Sequence, residues 1–329
     1  MLSGSVFLLQ DNFGRRFHYL RLSITEACNF KCQYCLPDGY HGPSDDTFLT
    51  LPEIDTLVQA FAGLGTSKIR ITGGEPSLRR DFTDVIALCR NTDGINKVAT
   101  TTHGGRLARD AQKWRDAGLD QVNVSIDSLD PRQFADITGQ NKLTQVLDGV
   151  SAAIDTGMTV KVNSVYLKHF AGKQLQQFKD WLKDTPITLR FIELMETGDH
   201  PEFFAQQHLS GGPLKQQLLN EGWMPVLRSK DAGPAQEFHH PDYAGRIGLI
   251  MPYSKDFCAS CNRLRVAANG NLHLCLFSEH GIDIRPYLQQ GDVQALMAHL
   301  QQLLTQKHAT HYLQDGNTGA TSHLAMLGG

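Results

Sequence analysis

Seven cysteines stand in this chain of 329 residues, and six of them fall into two groups spaced as metal ligands are. The first group, Cys28-Asn-Phe-Lys-Cys32-Gln-Tyr-Cys35, brings three thiolates onto one short loop. Such a loop can wrap one cubane and leave its fourth iron without a protein ligand. Iron–sulfur clusters ordinarily take four cysteines, so an open iron implies an exogenous ligand. The plainer alternatives are a zinc site or a chance cluster in a loop. The second group is Cys258-Ala-Ser-Cys261, followed further on by Cys275. It reads either as half of a zinc ribbon that His273 could complete, or as a second three-cysteine cluster. Cys89 stands alone in a helical stretch and reads as a small buried apolar side chain.

Two polar motifs accompany these groups. Gly73-Gly74-Glu75-Pro76 ends an extended run. Its glycines permit close backbone approach, and a carboxylate there can accept from an ammonium group. Asn262-Arg263-Leu264-Arg265 adjoins the second cysteine group. On a strand its two arginines face the same side, where they could grip an anion; a solvated strand face is the plainer reading. His308 and His311 lie past the last helical pattern and read as a solvated tail.

These residues need elements to position them. Short β-branched runs at 19–25, 68–72, 97–102, 121–127, 159–165 and 188–194 alternate with helical patterns at 52–64, 81–90, 108–117, 144–156 and 172–183. Such alternation predicts right-handed βαβ units and a parallel sheet. Polar residues and glycines recur at the strand C-terminal ends, as in Thr72-Gly73-Gly74, Thr101-Thr102-His103, Ser125 with Asp127, Asn163 and Glu193. This favours a partial (β/α)6 barrel over an open doubly wound sheet, because barrels build their sites there. After about residue 196 the alternation stops, Gly, Pro and His become frequent, and an amphipathic helix follows over 292–307. The expected division is a barrel core over 1–196 and a C-terminal extension over 197–329 that carries the second cysteine group.

The composition narrows the class. Apolar residues make up 41% and charged ones only 20%, enough for a sizeable core and too little charge for a disordered chain. Lys plus Arg number 31 against 34 for Asp plus Glu, so no general basic surface advertises nucleic acid or membrane. No apolar run approaches the ~20 residues that span a bilayer. No basic residue precedes Arg15 and no long apolar stretch follows the start, so the expected location is the cytoplasm.

The cysteine loop, with Tyr34 before its last cysteine, resembles the cluster-binding motif of the radical S-adenosylmethionine superfamily, and Gly73 to Pro76 resembles that superfamily's GGEP element. The resemblance implies a [4Fe-4S] cluster on Cys28, Cys32 and Cys35, whose open iron chelates S-adenosylmethionine, with the GGEP element meeting its amino group. Over nearly the whole chain the similarity narrows to the GTP 3′,8-cyclase family, which opens molybdenum cofactor biosynthesis. It runs through Asp11 to Arg15, Leu20 to Ser23, Lys68 to Pro76, Asn123 to Asp127, Lys161 to Asn163, Arg190 to Met195 and Phe257 to Leu276, and it ends on Gly328-Gly329.

This resemblance implies a second [4Fe-4S] cluster on Cys258, Cys261 and Cys275, with its open iron at the guanine of GTP. Tyr34, Gly74, Ser125 and Met195 match positions that contact S-adenosylmethionine, and Arg21, Arg70, Thr101, Lys161, Arg263 and Arg265 match GTP-binding positions. Family members extend the terminal Gly-Gly into the active site. The implied reaction is radical. S-adenosylmethionine is cleaved reductively, hydrogen leaves C3′ of GTP, and C3′ joins C8 of the base; no residue is assigned as acid or base. The implied partners are an external electron donor and the cyclic pyranopterin monophosphate synthase that receives the product. A homodimer is compatible with this reading. The sequence departs from its relatives at Thr101-Thr102-His103-Gly104, where they commonly read Thr-Thr-Asn-Gly, and His103 receives no role. Two rivals remain at this point. A radical S-adenosylmethionine peptide-maturing enzyme usually has more C-terminal cysteines. A non-catalytic zinc module would leave both missing fourth thiolates unexplained.

Overall fold

The computed structural model describes residues 8–42, 47–169, 171–198, 200–227, 232–316, 318–319 and 324–328. Six strands, β1 (Tyr19–Ser23), β2 (Lys68–Thr72), β3 (Lys97–Thr102), β4 (Gln121–Ser125), β5 (Thr159–Tyr166) and β6 (Thr188–Glu193), lie side by side in chain order, all parallel. Helices α1 (Leu51–Gly63), α2 (Phe82–Asn91), α3 (Leu107–Asp116), α5 (Leu143–Asp155) and α6 (Ala171–Leu182) fall in the intervals where the periodicity places them. Thr50 starts α1 with a capping box: its hydroxyl accepts from the Glu53 amide, and the Glu53 carboxylate accepts from the Thr50 amide.

The sequence reading misses α4 (Pro131–Thr138), a helix of barely more than two turns. Its punctuation is clear nonetheless. Asp130 accepts from the Arg132 and Gln133 amides at 2.9 and 3.1 Å, Pro131 opens the first turn, and Gly139 closes the helix with φ +68°.

The segment after residue 196 joins the same sheet. It adds α7 (Pro201–Gln207), α8 (Gly211–Asn220), β7 (Met224–Pro225), β8 (Gln236–His239), β9 (Arg246–Ile250), β10 (Arg263–Val266), β11 (Asn271–His273), β12 (Ile282–Asp283), α9 (Arg285–Gln290) and α10 (Val293–Leu304). Strand β10 pairs parallel with β1, and β9 pairs parallel with β6, so both edges of the six-strand core are covered by later strands. The full order is β12-β11-β10-β1-β2-β3-β4-β5-β6-β9-β8-β7, a curled and open sheet whose outer strands are antiparallel. This is the partial α/β barrel expected from the sequence, widened by one parallel strand at each side. Arg285 of α9 donates to Glu53 of α1 at 2.8 Å and further ties the late segment to the core. Cys89 is fully buried, as a small apolar residue would be.

Candidate functional site

Two adjoining cavities lie in tandem along the strands. The smaller, about 140 Å³, sits at the strand C-terminal ends and is lined by Cys28, Cys32, Cys35, Tyr34, Gly74, Ser125, Thr101 and Met195 among others. The larger, about 760 Å³, lies further back along the same strands, where Arg21, Arg70, Lys161, Arg190 and Arg265 point inward. Asn163, Ile192 and Met195 line both.

The cysteine loop is held from three directions. Leu36 and Cys35 donate backbone hydrogen bonds to the Cys32 carbonyl, which coils the loop tightly. The end of α4 receives it: Lys31 and Gln33 donate to the carbonyls of Thr138 and Ile137 at 2.9 and 3.0 Å. His103 closes the third side. Its ring stacks on Phe30 with centroids 3.8 Å apart and planes 5° from parallel. The Gly105 amide donates to its Nδ1 at 3.0 Å, so Nε2 carries the proton and donates to Asn29 Oδ1 at 2.7 Å. The residue that departs from the family pattern therefore steadies the loop between its first two cysteines.

All three thiols of this loop are unbonded and lie at one cavity. Burial pushes Cys28 up to about 11 and Cys35 up to about 12. They become thiolates at neutral pH only beside a strong positive charge, which a metal cluster supplies. Among the described residues no three His, Cys, Asp or Glu side chains gather as a ready single-ion site. His273 is buried and burial lowers it to about 4; it pairs in register with Arg265 across β10 and β11.

The GGEP element departs from expectation at its carboxylate. Gly73 and Gly74 do line the cavity, and the Gly74 amide donates to the Thr25 carbonyl. Gly73 has φ +146°, and a Cβ there would collide with that same carbonyl oxygen. Glu75, however, is fully buried away from the cavity, accepting from Thr102 Oγ1 at 2.8 Å and from the His103 and Ser77 amides at 2.8 and 3.1 Å. Its carboxylate fastens the ends of β2 and β3 together rather than presenting itself to an ammonium group. Tyr34 donates to Asp127 Oδ2 at 2.8 Å, and Asp127 in turn accepts from the Val165 amide.

The tail reaches this cavity. Leu324, Ala325 and Gly328 line it, and the Gly328 carbonyl accepts from Thr72 Oγ1 at 3.4 Å. A Cβ on Gly328 would run into the Thr72 side chain. Gly329 lies outside the described residues. His308 is exposed as expected, but His311 is buried: it lies against Phe257 and Phe277 and bonds to the Pro252 carbonyl at 2.9 Å.

The larger cavity is strongly cationic. Arg21, Lys68, Arg70, Lys97, Lys161, Arg190, Arg246, Arg263 and Arg265 line it, with Cys258, Cys261 and Cys275 along one wall. Arg263 and Arg265 point into it from β10 while Leu264 and Val266 enter the core. Burial presses Arg190 down to about 9, with Arg70 adding to the effect, so it stays charged at neutral pH. Nε and Nη2 of Arg190, Nη1 of Arg263 and Nε of Arg265 are buried without a hydrogen-bond acceptor among the described residues. Burial alone would raise Tyr19, yet Arg70, Arg21 and Lys68 outweigh it and bring the phenol to about 6. At Cys261 burial is likewise outweighed by Arg263 and Lys307, which bring the thiol to about 7. Such surroundings suit an anionic iron–sulfur cluster and an anionic ligand.

Comparison with known proteins decides the family. Residues 22–182 match the Radical SAM superfamily, and residues 187–313 match Molybdenum Cofactor Synthesis C. The GTP 3′,8-cyclase of Shewanella denitrificans is 58% identical over 98% of this chain and 96% of its own. That of Yersinia pestis is 57% identical over 98% and 99%. The chain belongs to the GTP 3′,8-cyclase family. Among solved structures, Streptococcus suis SuiB bound to S-adenosylmethionine is similar in fold, with TM-score 0.61 and 12% identity over 87% of this chain and 68% of that one.

Within this family frame, the structure gathers the six grouped cysteines and the residues expected to meet S-adenosylmethionine and GTP at the two cavities, while Glu75 lies apart. One falls differently from its grouping: Thr101 lines the smaller cavity, although it accepts from Arg70 Nη1 at 3.4 Å and so touches both. Sequence reasoning missed Tyr19, Lys68, Lys97, Arg190 and Arg246 in the cationic wall, and Lys307, which is buried beside the second cysteine group and donates to the Leu274 carbonyl. Strand alternation gave a usable signal for Tyr19 and Lys68. Lys68 and Arg70, and Tyr19 and Arg21, are i, i+2 pairs on parallel neighbours. Lys307 ends a helical pattern and carries no such mark.

Proposed function

We propose that the two cavities together convert GTP to (8S)-3′,8-cyclo-7,8-dihydroguanosine 5′-triphosphate, the first step of molybdenum cofactor biosynthesis. The observation that carries this reading is the cationic cavity with its unsatisfied buried guanidinium N–H groups, adjoining the thiol-lined one at Asn163, Ile192 and Met195. Cys28, Cys32 and Cys35 would hold one [4Fe-4S] cluster, and Cys258, Cys261 and Cys275 the other. When bound, the first cluster with S-adenosylmethionine supplies one-electron cleavage and hydrogen abstraction from C3′, and the second supplies an open iron for the guanine.

The chain's own residues bind and orient. Arg21, Arg70, Lys161, Arg263 and Arg265, joined by Lys68 and Arg190, meet a triphosphate of about four negative charges; bidentate arginines fix its direction as well as its charge. Tyr34, Gly74, Ser125 and Met195 border the space for S-adenosylmethionine, and Thr101 stands where the two ligands approach. Clamping GTP at its phosphates and at its base holds C3′ in place, and a 1 Å error there can cost on the order of a hundredfold in rate. The Leu324 to Gly328 tail would cover the smaller cavity and keep water and stray hydrogen donors out.

In this reading the barrel core over 1–196 supplies the first cluster, and the segment over 197–329 supplies the second cluster and the tail. An external one-electron donor, transfer of product to cyclic pyranopterin monophosphate synthase, a homodimeric assembly and a cytoplasmic location belong to it as well. No helix of the described residues is long and apolar enough to cross a membrane. Anaerobic incubation with GTP, S-adenosylmethionine and a strong reductant tests the proposal. It should yield 5′-deoxyadenosine and cyclised nucleotide together, and 5′-deoxyadenosine without loss of GTP would refute it.

A further inference from the structure

Nine cationic side chains line the larger cavity, and among its described lining residues there is a single carboxylate, Glu237. Glu237 Oε1 accepts from Lys161 Nζ at 2.5 Å, with side chains only 23% and 20% exposed. The pairing is built into the sheet. Arg190 on β6, Gly248 on β9 and Glu237 on β8 are register partners across three adjacent strands. A Cβ on Gly248 would stand 3.0 Å from Arg190 Cγ and 3.6 Å from Glu237 Cγ. The glycine thus leaves room for an arginine and a carboxylate to lie across it, the latter reaching Lys161.

A lone carboxylate among nine cationic side chains has two opposite effects. Without a ligand the cations repel one another, and a carboxylate among them relieves that repulsion. Once a polyphosphate enters, the same carboxylate is a like charge beside it and holds an ammonium group that the ligand needs. We propose that Glu237 is a built-in counter-ion that occupies Lys161 until a polyphosphate displaces it, weakening substrate affinity while stabilising the ligand-free cavity. The proposal rests on the cavity's being the triphosphate site. It makes Glu237 a residue that sets affinity, since a ligand must carry enough charge to compete with a carboxylate already in place.

Glu237→Gln keeps the shape and removes the charge. In the cluster-loaded protein, the Kd for GTP and for inorganic tripolyphosphate should fall about tenfold, the size expected for freeing one charged hydrogen-bonding group. The fall should shrink in high salt. The ligand-free melting temperature should drop at the same time. Glu237→Asp, which retracts the carboxylate by one methylene, should show both changes at smaller size and covers the case in which the Gln variant folds poorly. Unchanged or weaker binding in both variants would overturn the proposal, since it would make Glu237 a support that aims Lys161 at the ligand. Tighter tripolyphosphate binding with no GTP binding to either form would instead refute the site's assignment to GTP and leave the counter-ion intact.

Discussion

Lys68 sits in the cationic wall under opposing influences. Burial lowers its ammonium first, Arg70, Lys97 and Lys161 lower it further, Tyr19 raises it, and the balance lies at about 8, below its usual 10.5. Because the charged form attracts phosphate, GTP affinity should weaken as pH rises through about 8. Ligand-free stability moves the other way: a base with a lowered folded value costs the fold most below about 8, and that cost is relieved toward 10.5. A KM profile against pH checks the first effect, and Lys68→Arg, which stays charged, should shift the weakening to higher pH. A profile unchanged by that substitution would exclude Lys68 from the phosphate site. Cys32→Ala should abolish 5′-deoxyadenosine formation, since two thiolates hold a cubane poorly. Cys275→Ala should leave that cleavage measurable while removing cyclised product. Equal losses in both variants would mean that the triads do not act separately. At this scale the cysteines were legible because spacing alone encodes a ligand set. The Glu75 carboxylate was not, because a motif shows which groups are adjacent and not which way they face: Thr102 and the His103 amide claim its oxygens.

At the scale of elements, α4 illustrates what periodicity leaves out. Strands β1 to β6 and their flanking helices were readable because each is long enough to repeat its period. Strands β7 to β12, all but β9 shorter than five residues, were hidden inside a stretch rich in Gly, Pro and His. The α4 helix is similarly short, yet its last carbonyls receive the cysteine loop. Asp130→Ala removes its N-cap, and such a loss costs about 1 kcal/mol. The consequence should reach beyond stability: iron retained per protein after brief exposure to air should fall more than it does for Thr50→Ala, an equivalent cap loss on α1. Equal iron retention in the two variants would show that α4 does not support the loop.

The whole chain meets at the smaller cavity, where the first cysteine loop and the final residues lie together although nearly 300 positions separate them. Deleting Gly328 and Gly329 should reduce cyclised product at least tenfold while moving the unfolding curve little, because glycines bury no side chain and such losses are usually within ~0.5 kcal/mol. Unchanged turnover would make the tail a bystander. This layout also imposes an order of events on synthesis. The first cysteine loop leaves the ribosome early, whereas Leu324, Ala325 and Gly328, which line the same cavity, follow nearly 300 residues later. Strands β9 and β10, which cover the two edges of the six-strand core, are also late. A nascent chain therefore spends most of its synthesis with its first cluster loop uncovered and two strand edges open, a state prone to wrong pairing. Cys28, Cys32 and Cys35 stay open to solvent in that interval, until the late strands and Leu324 to Gly328 pack around their cavity.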